Sequence, residues 1–161
     1  MQNYHLQNRP NREISDPTEI KAILKKGKYA IISLCRENEP YIVTLSYGYD
    51  DINNSLYFHC STIGLKLDFI KSNPKVCATV IEDGGYIYEE CGHNYRTVVF
   101  WGEIKFVTDP EEKKHGMKIL LDQLENEPTI INEKMHKADN YSSKMNILRL
   151  DIEQIHGKAG R

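Results

Sequence analysis

The chain has 161 residues, 40% of them hydrophobic and 27% charged, the proportions of one ordinary globular domain. Its 21 basic and 23 acidic residues leave a net charge of −2, so no positive field favours nucleic acid or an anionic membrane surface. No apolar run approaches the roughly 20 residues of a membrane-spanning helix, and the polar N-terminus lacks the apolar centre of a signal peptide. A cytoplasmic address without membrane partners is therefore expected. Cys35, Cys60, Cys77 and Cys91 are scattered with no Cys-x-x-Cys pair. Three stand in apolar strand-like runs, where cysteine usually acts as a small buried hydrophobe, and no disulfide framework is expected.

Residues 1–14 read as an N-terminal arm and 15–161 as a single domain. A helix is predicted from Asp16-Pro17, with Asp16 as cap, Pro17 in the first helical position and Glu19 three residues after the cap; Ile20, Ile23 and Leu24 share a face, and Gly27 ends it. From Lys28 the period becomes strand-like. Tyr29 to Cys35 is a short apolar run, followed by the polar turn Arg36 to Glu39. A second strand runs from Tyr41 to Tyr49, with Tyr41, Val43, Leu45, Tyr47 and Tyr49 on one side and Ile42, Thr44, Ser46 and Gly48 on the other. After a turn at Asp50 to Asn54, a third strand spans Leu56 to Cys60.

A helix is expected over Leu65 to Ser72, stopped by Asn73-Pro74. Then come a strand from Lys75 to Ile81, a turn at Asp83-Gly84-Gly85 and a further short strand from Tyr86 to Cys91. The longest strand signal covers Tyr95 to Val107, and Gly102 in its middle marks a bulge or a close backbone approach. Asp109-Pro110 opens an amphipathic helix to about Glu125; after an irregular polar stretch, Asn146 to Ile155 is the last strand. The sum is mainly β: six or seven antiparallel strands with peripheral helices, which close most economically into a barrel.

The segment richest in chemistry is Tyr57 to Lys66. A strand ends in Ser61 and Thr62, Gly64 follows, and a helix begins with Lys66 in its first turn. Unpaired N–H groups, two hydroxyls and a cation make a phosphate cradle; the alternative is an ordinary capped helix with a solvated lysine. His59 faces away from Phe58, as a catalyst or as a hydrogen-bonded structural residue. Cys60 points to the other face, which removes a thiolate–imidazole pair. Cys91, His93, Glu89 and Glu90 are too closely spaced to complete a metal site, and no metal is expected. The ten tyrosines and Trp101 supply barrel wall or the floor of a flat aromatic ligand, and Arg96 a second phosphate partner or a surface charge.

Ala30 to Cys35, Pro40 to Gly48, Leu56 to Cys60 with Gly64-x-Lys66, Asn73 to Cys77, Arg96 to Gly102 and Asp109 to Lys113, in this order and spacing, resemble the pyridoxamine 5′-phosphate oxidase-like superfamily, and within it the nitroimidazole-resistance (Nim-type) group. The resemblance covers Arg12 to Ile155. It implies a homodimeric split β-barrel with FMN at the subunit interface. Val43, Thr44, Leu45 and Ser46 would edge the isoalloxazine. His59, Cys60, Ser61 and Thr62 would line the ribityl and phosphate region, with Gly64 and Lys66 at the phosphate. Arg96 and Trp101 would complete the site, from the second subunit. It also implies His59 as the active-site residue. The ending Gly157 to Arg161 lacks the arginine- and tryptophan-containing segment of true pyridoxamine phosphate oxidases, so another substrate is expected.

The expected activity is an FMN-dependent oxidoreductase that passes electrons from NAD(P)H or a reductase to a small acceptor such as a nitroaromatic. With no Gly-rich dinucleotide fingerprint, NAD(P)H would bind transiently. The alternatives are a flavin storage or sensor protein without turnover, and a haem-binding split barrel with His59 on the iron. A single-strand nucleic-acid binder is disfavoured by the charge.

Overall fold

The computed structural model describes residues 9–129 and 145–160. Their strands are β1 Glu13–Ile14, β2 Tyr29–Arg36, β3 Glu39–Ser46, β4 Gly48–Asp50, β5 Ser55–Ser61, β6 Lys75–Ile87, β7 Gly92–Phe106 and β8 Met145–Gly160, and the helices are α1 Pro17–Lys26, α2 Leu65–Ser72 and α3 Pro110–Leu124. All eight strands form one antiparallel sheet in the order β3-β2-β6-β7-β8-β5-β4, with β1 added to the end of β8. Residues 1–8 of the expected arm, and most of the polar stretch before Asn146, lie outside the described residues.

The helices begin and end where local chemistry dictates. Asp16 accepts a hydrogen bond from the Thr18 amide at 2.8 Å, Asp109 one from the Glu112 amide at 2.8 Å, and a proline follows each cap. The β2–β3 turn is tight because Glu37 and Asn38 both adopt positive φ, the twist that a two-residue hairpin needs.

Two expectations are corrected. The strand expected as one piece from Tyr41 to Tyr49 is two: β3 pairs with β2, whereas β4 pairs with β5. The break falls at Tyr47. Its ring is fully buried, its hydroxyl donates to the Leu24 carbonyl at 2.6 Å, and its amide reaches the Lys28 carbonyl. The hydrogen-bonded sheet consequently does not close, and β3 and β4 are its two ends. The second correction concerns Asp83-Gly84-Gly85, which is a bulge inside β6 rather than a turn. Tyr86 and Ile87 continue that strand, and the reversal comes at Tyr88 to Cys91. At Gly102 the expectation holds in both forms. The β7–β8 register shifts there, and a side chain on Gly102 would run into the Asp151 carbonyl.

Inside the split barrel, Ala30, Ile32, Leu34, Val98, Phe100, Leu148 and Leu150 are essentially buried, together with Leu56 and Phe58. Helix α1 closes one end with Ile23 and Leu24, and α2 adds Leu67, Phe69 and Ile70. Helix α3 packs on the outside against Tyr57, Val107 and Ile147. Gly48 permits that approach, since a Cβ there would lie 2.5 Å from the Ile119 carbonyl oxygen. Gln123 of α3 clasps the crossing. Its side-chain amide donates to the Gly27 carbonyl at 2.6 Å and its oxygen accepts from the Tyr49 amide at 2.8 Å.

Asp50 anchors the turn after β4. Its buried carboxylate accepts from the amides of Ile52 and Asn53, from the Asn53 side chain at 2.8 Å and from His115 of α3 at 2.7 Å. Burial raises its pKa, but these donors outweigh burial and hold it at about 2, below the ordinary 3.8. The ionised carboxylate therefore stabilises the fold above about pH 4, and this contribution drains away as the pH falls toward 2. In urea unfolding measured across that window, the wild type is expected to lose about 2 kcal/mol that Asp50→Asn does not.

Candidate functional site

The crossing at Tyr47 creates the site. Strand β3 is hydrogen-bonded only to β2 and runs out of partners on its other side. Strand β5 pairs with β8 along its length, but with β4 only from Ser55 to Tyr57. Between them lies a slot whose two walls are strand edges without ladder partners among the described residues. Continuing the Gly48↔Tyr57 register along the chain sets Ser46 against His59 and Thr44 against Ser61. Thr44, Ser46, His59 and Ser61 are all exposed, on the outward side.

One end of the slot is the junction of β5 and α2. Gly64 caps α2 with φ +146°, a conformation suited to glycine, and no side chain caps the helix. The Leu67 amide donates to the Gly64 carbonyl at 2.9 Å, which leaves the amides of Leu65 and Lys66 to solvent or a ligand. The Ser61 hydroxyl accepts weakly from the Ile63 amide at 3.4 Å, and Asn146 donates to the Ser61 carbonyl. Thr62 is exposed beside them. The Lys66 ammonium folds back to within 3.9 Å of where a Cβ on Gly64 would sit. Among the described residues no carboxylate pairs with Lys66. Hydroxyls, two open amides and the Lys66 cation are groups that could hold an anion here, with the exposed Asp68 carboxylate in the same turn acting against them.

The structure thus brings together Val43 to Ser46 with His59 to Lys66. Val43 and Leu45 are half-buried and pack inward, so their backbone is what they offer the slot. Cys60 belongs to the core and its thiol faces away from the slot, so it too offers the slot only its backbone. Burial pushes that thiol's pKa up, against the opposing charge of Lys66. Of the other cysteines, Cys77 is half-buried; Cys35, expected buried, is exposed on β2, and all four are free.

Two expected residues lie apart from this cluster within one chain. Arg96 stands ten residues from Phe106 along β7, about 30 Å of strand. It pairs with Glu82 and with Glu19 at 3.2 Å, at the barrel end closed by α1. Lys26 also pairs with Glu82, whose carboxyl is held low first by Lys26 and then by Arg96. Trp101 sits on the outer face of β7, three strands from β3, its ring edge-on to His156 at 5.7 Å. His93, instead of gathering with Cys91, pairs with Asp83 at 2.7 Å.

A feature missed in the sequence is the outer face itself. From β3 to β8, Thr44, Ile31, Thr79, Val99 and His156 form one row across the sheet, and Ile42, Ser33, Cys77, Trp101 and Gln154 the next. The signal was the unbroken apolar run Val98-Val-Phe-Trp101, the mark of a strand covered on both faces. Tyr29 and Ile81, beside these rows, are 56% and 51% exposed.

The family model described as pyridoxamine 5′-phosphate oxidase matches residues 16–159, and the chain belongs to that family. The family-level resemblance read from the sequence is borne out. Among solved structures, a provisionally assigned 5-nitroimidazole antibiotic resistance protein of Bacteroides thetaiotaomicron superposes with a TM-score of 0.75 at 21% identity, over 92% of this chain and 86% of that one. An FAD-binding protein of Mesorhizobium loti gives 0.64 at 21% identity, over 93% and 96%. An FAD and heme binding protein of Mycobacterium smegmatis gives 0.72 at 17% identity, over 93% and 74%. Among curated proteins, the uncharacterized protein RA0666 of Rhizobium meliloti (strain 1021) is 36% identical over 64 residues, and the match spans 40% of each chain.

Because Arg96 is committed to two carboxylates, its role in the single chain is to fasten α1 to the sheet. Arg96→Ala is expected to lower stability by about 1 kcal/mol, a partly exposed ion-pair network being worth little more. Thermal unfolding at low and high salt checks this, and the loss should shrink at high salt.

Proposed function

We propose that the chain binds FMN in the slot between β3 and β5, pairs with a second copy across its outer sheet face, and acts as an oxidoreductase on a small acceptor such as a nitroaromatic. The observation that carries the reading is the open end of α2, where uncapped amides, Ser61, Thr62 and an unpaired Lys66 offer a phosphate more donors than the protein itself uses. The slot's unpartnered strand edges suit the donor and acceptor rim of an isoalloxazine, with Val43 to Ser46 on one side and His59 on the other. Solved neighbours described as FAD-binding support a flavin as the ligand class.

Flavin, when bound, supplies hydride and electron transfer. The chain's own contribution is positional and electrostatic. Backbone N–H groups from Thr44 to Ser46 would stabilise negative charge at the ring edge, and Lys66 with the α2 amides would hold the phosphate. His59, exposed at the mouth, would give or take a proton at the acceptor. Electrons would come from NAD(P)H bound transiently or from a reductase. Uncovered Tyr29, Ile42 and Ile81 on the outer face support a homodimer, since exposed apolar groups of this kind mark interfaces. A partner seated there would bring its own residues toward the slot, the setting in which Trp101 could take part.

Titration of purified protein with FMN, read by quenching of flavin fluorescence, tests the cradle. Lys66→Ala combined with Ser61→Ala is expected to weaken affinity at least tenfold, the worth of charge-assisted hydrogen bonds; unchanged affinity would overturn the reading. Steady-state reduction of a nitroaromatic by NADH then tests the activity. Tight binding without turnover would leave a flavin carrier or sensor, and a Soret band from haem would displace the flavin.

A further inference from the structure

The tip of the β6–β7 hairpin carries two exposed tyrosines that neither the core nor the candidate slot uses. Tyr86 is 50% and Tyr88 81% exposed. Their rings meet edge to face at 5.5 Å, and Tyr86 also meets the His93 ring at 6.2 Å. The hairpin holds this cluster out beyond the sheet, for β8 ends opposite Tyr95. The bulge decides which way the cluster faces. Asp83 pairs with Tyr95 and Tyr86 with His93, so Gly84 and Gly85 together oppose the single residue Asn94. One extra residue reverses the side-chain parity of β6 beyond that point. Without it Tyr86 would follow Val80 and Glu82 toward the core side; with it Tyr86 follows Ile81 and Asp83 onto the outer face. The reversal is built in. Gly85 takes φ +90°, its amide donates to the Asp83 carboxylate at 2.7 Å, and the same oxygen meets His93 Nε2 at 2.7 Å.

We propose that this hairpin tip is an arm of the homodimer, and that Tyr86 and Tyr88 seat on a second copy of this chain. The proposal rests on the dimeric reading above and adds a further element to that interface. The tip continues the same outer face past Tyr29 and Ile81, and its two exposed tyrosines extend the apolar surface available to a partner. A stable interface buries about 800 Å² from each partner, to which both the sheet rows and the tip would contribute. Tyrosine suits such a contact, since a rigid ring buries much area at little entropic cost.

The test is the dimer dissociation constant by sedimentation velocity over a dilution series, for the wild type, Tyr86→Ser/Tyr88→Ser, and Tyr88→Glu. Ile52→Ser serves as control, its side chain being 93% exposed in the β4–β5 turn, away from the outer face. The proposal expects both hairpin variants to dissociate at least tenfold more readily, with the control unchanged and all unfolding midpoints alike. A wild-type dimer whose hairpin variants associate as tightly overturns the arm and leaves the dimer standing. A wild type that stays monomeric at tens of micromolar overturns both, and the FMN titration reports on the slot separately.

Discussion

The single-residue crossing at Tyr47 is the constraint from which the rest of the structure follows. A strand that leaves one edge of a sheet and joins the other cannot stay hydrogen-bonded to both neighbours over its full length. Here β3 keeps β2 and β4 keeps β5, so a slot opens between β3 and β5 beyond Tyr57. Open strand edges are costly when buried and hazardous when exposed, and the protein keeps these by fixing the kink from three sides. The Tyr47 hydroxyl binds the end of α1, Gln123 ties α1 to β4 from α3, and Gly48 lets α3 press against the backbone. The kink that opens the slot is thus buried, while Thr44, Ser46, His59 and Ser61 along it stay in solvent.

Charge is partitioned with the same economy. A net charge of −2 gives no hint of an anion site, and among the described residues many cations are spent on carboxylates: Arg96 on Glu82 and Glu19, Arg149 on Glu112 and Asp151, Lys105 on Asp151. Lys66 is one of several described cations outside these pairs, and what distinguishes it is its place at a helix start beside Ser61 and Thr62. In a chain near neutrality, recognition of an anion rests on where such cations stand and not on the total.

The sheet presents two apolar faces with different fates. The inner one is consumed by the barrel core. The outer one, from β3 across to β8, is left uncovered by the described residues, and the Gly84-Gly85 bulge turns the hairpin's aromatic tip to the same side.

Much of this was legible in the residues. Caps at Asp16 and Asp109, the start of α2 after Gly64, the alternation in β3 and the demand for glycine at 102 are local effects, written in a few neighbouring positions. So was the opposition of His59 to Phe58 and Cys60, because strand side chains alternate whatever the fold. Tertiary structure decided what depends on partners far away in sequence: that Tyr41 to Tyr49 is divided between two sheet edges, that Arg96 is claimed by Glu19 and Glu82, and that the parity of Tyr86 is reversed. Each of these is set by which strand lies alongside, a choice made by the whole core packing at once, and the periodicity of a single segment carries no record of it.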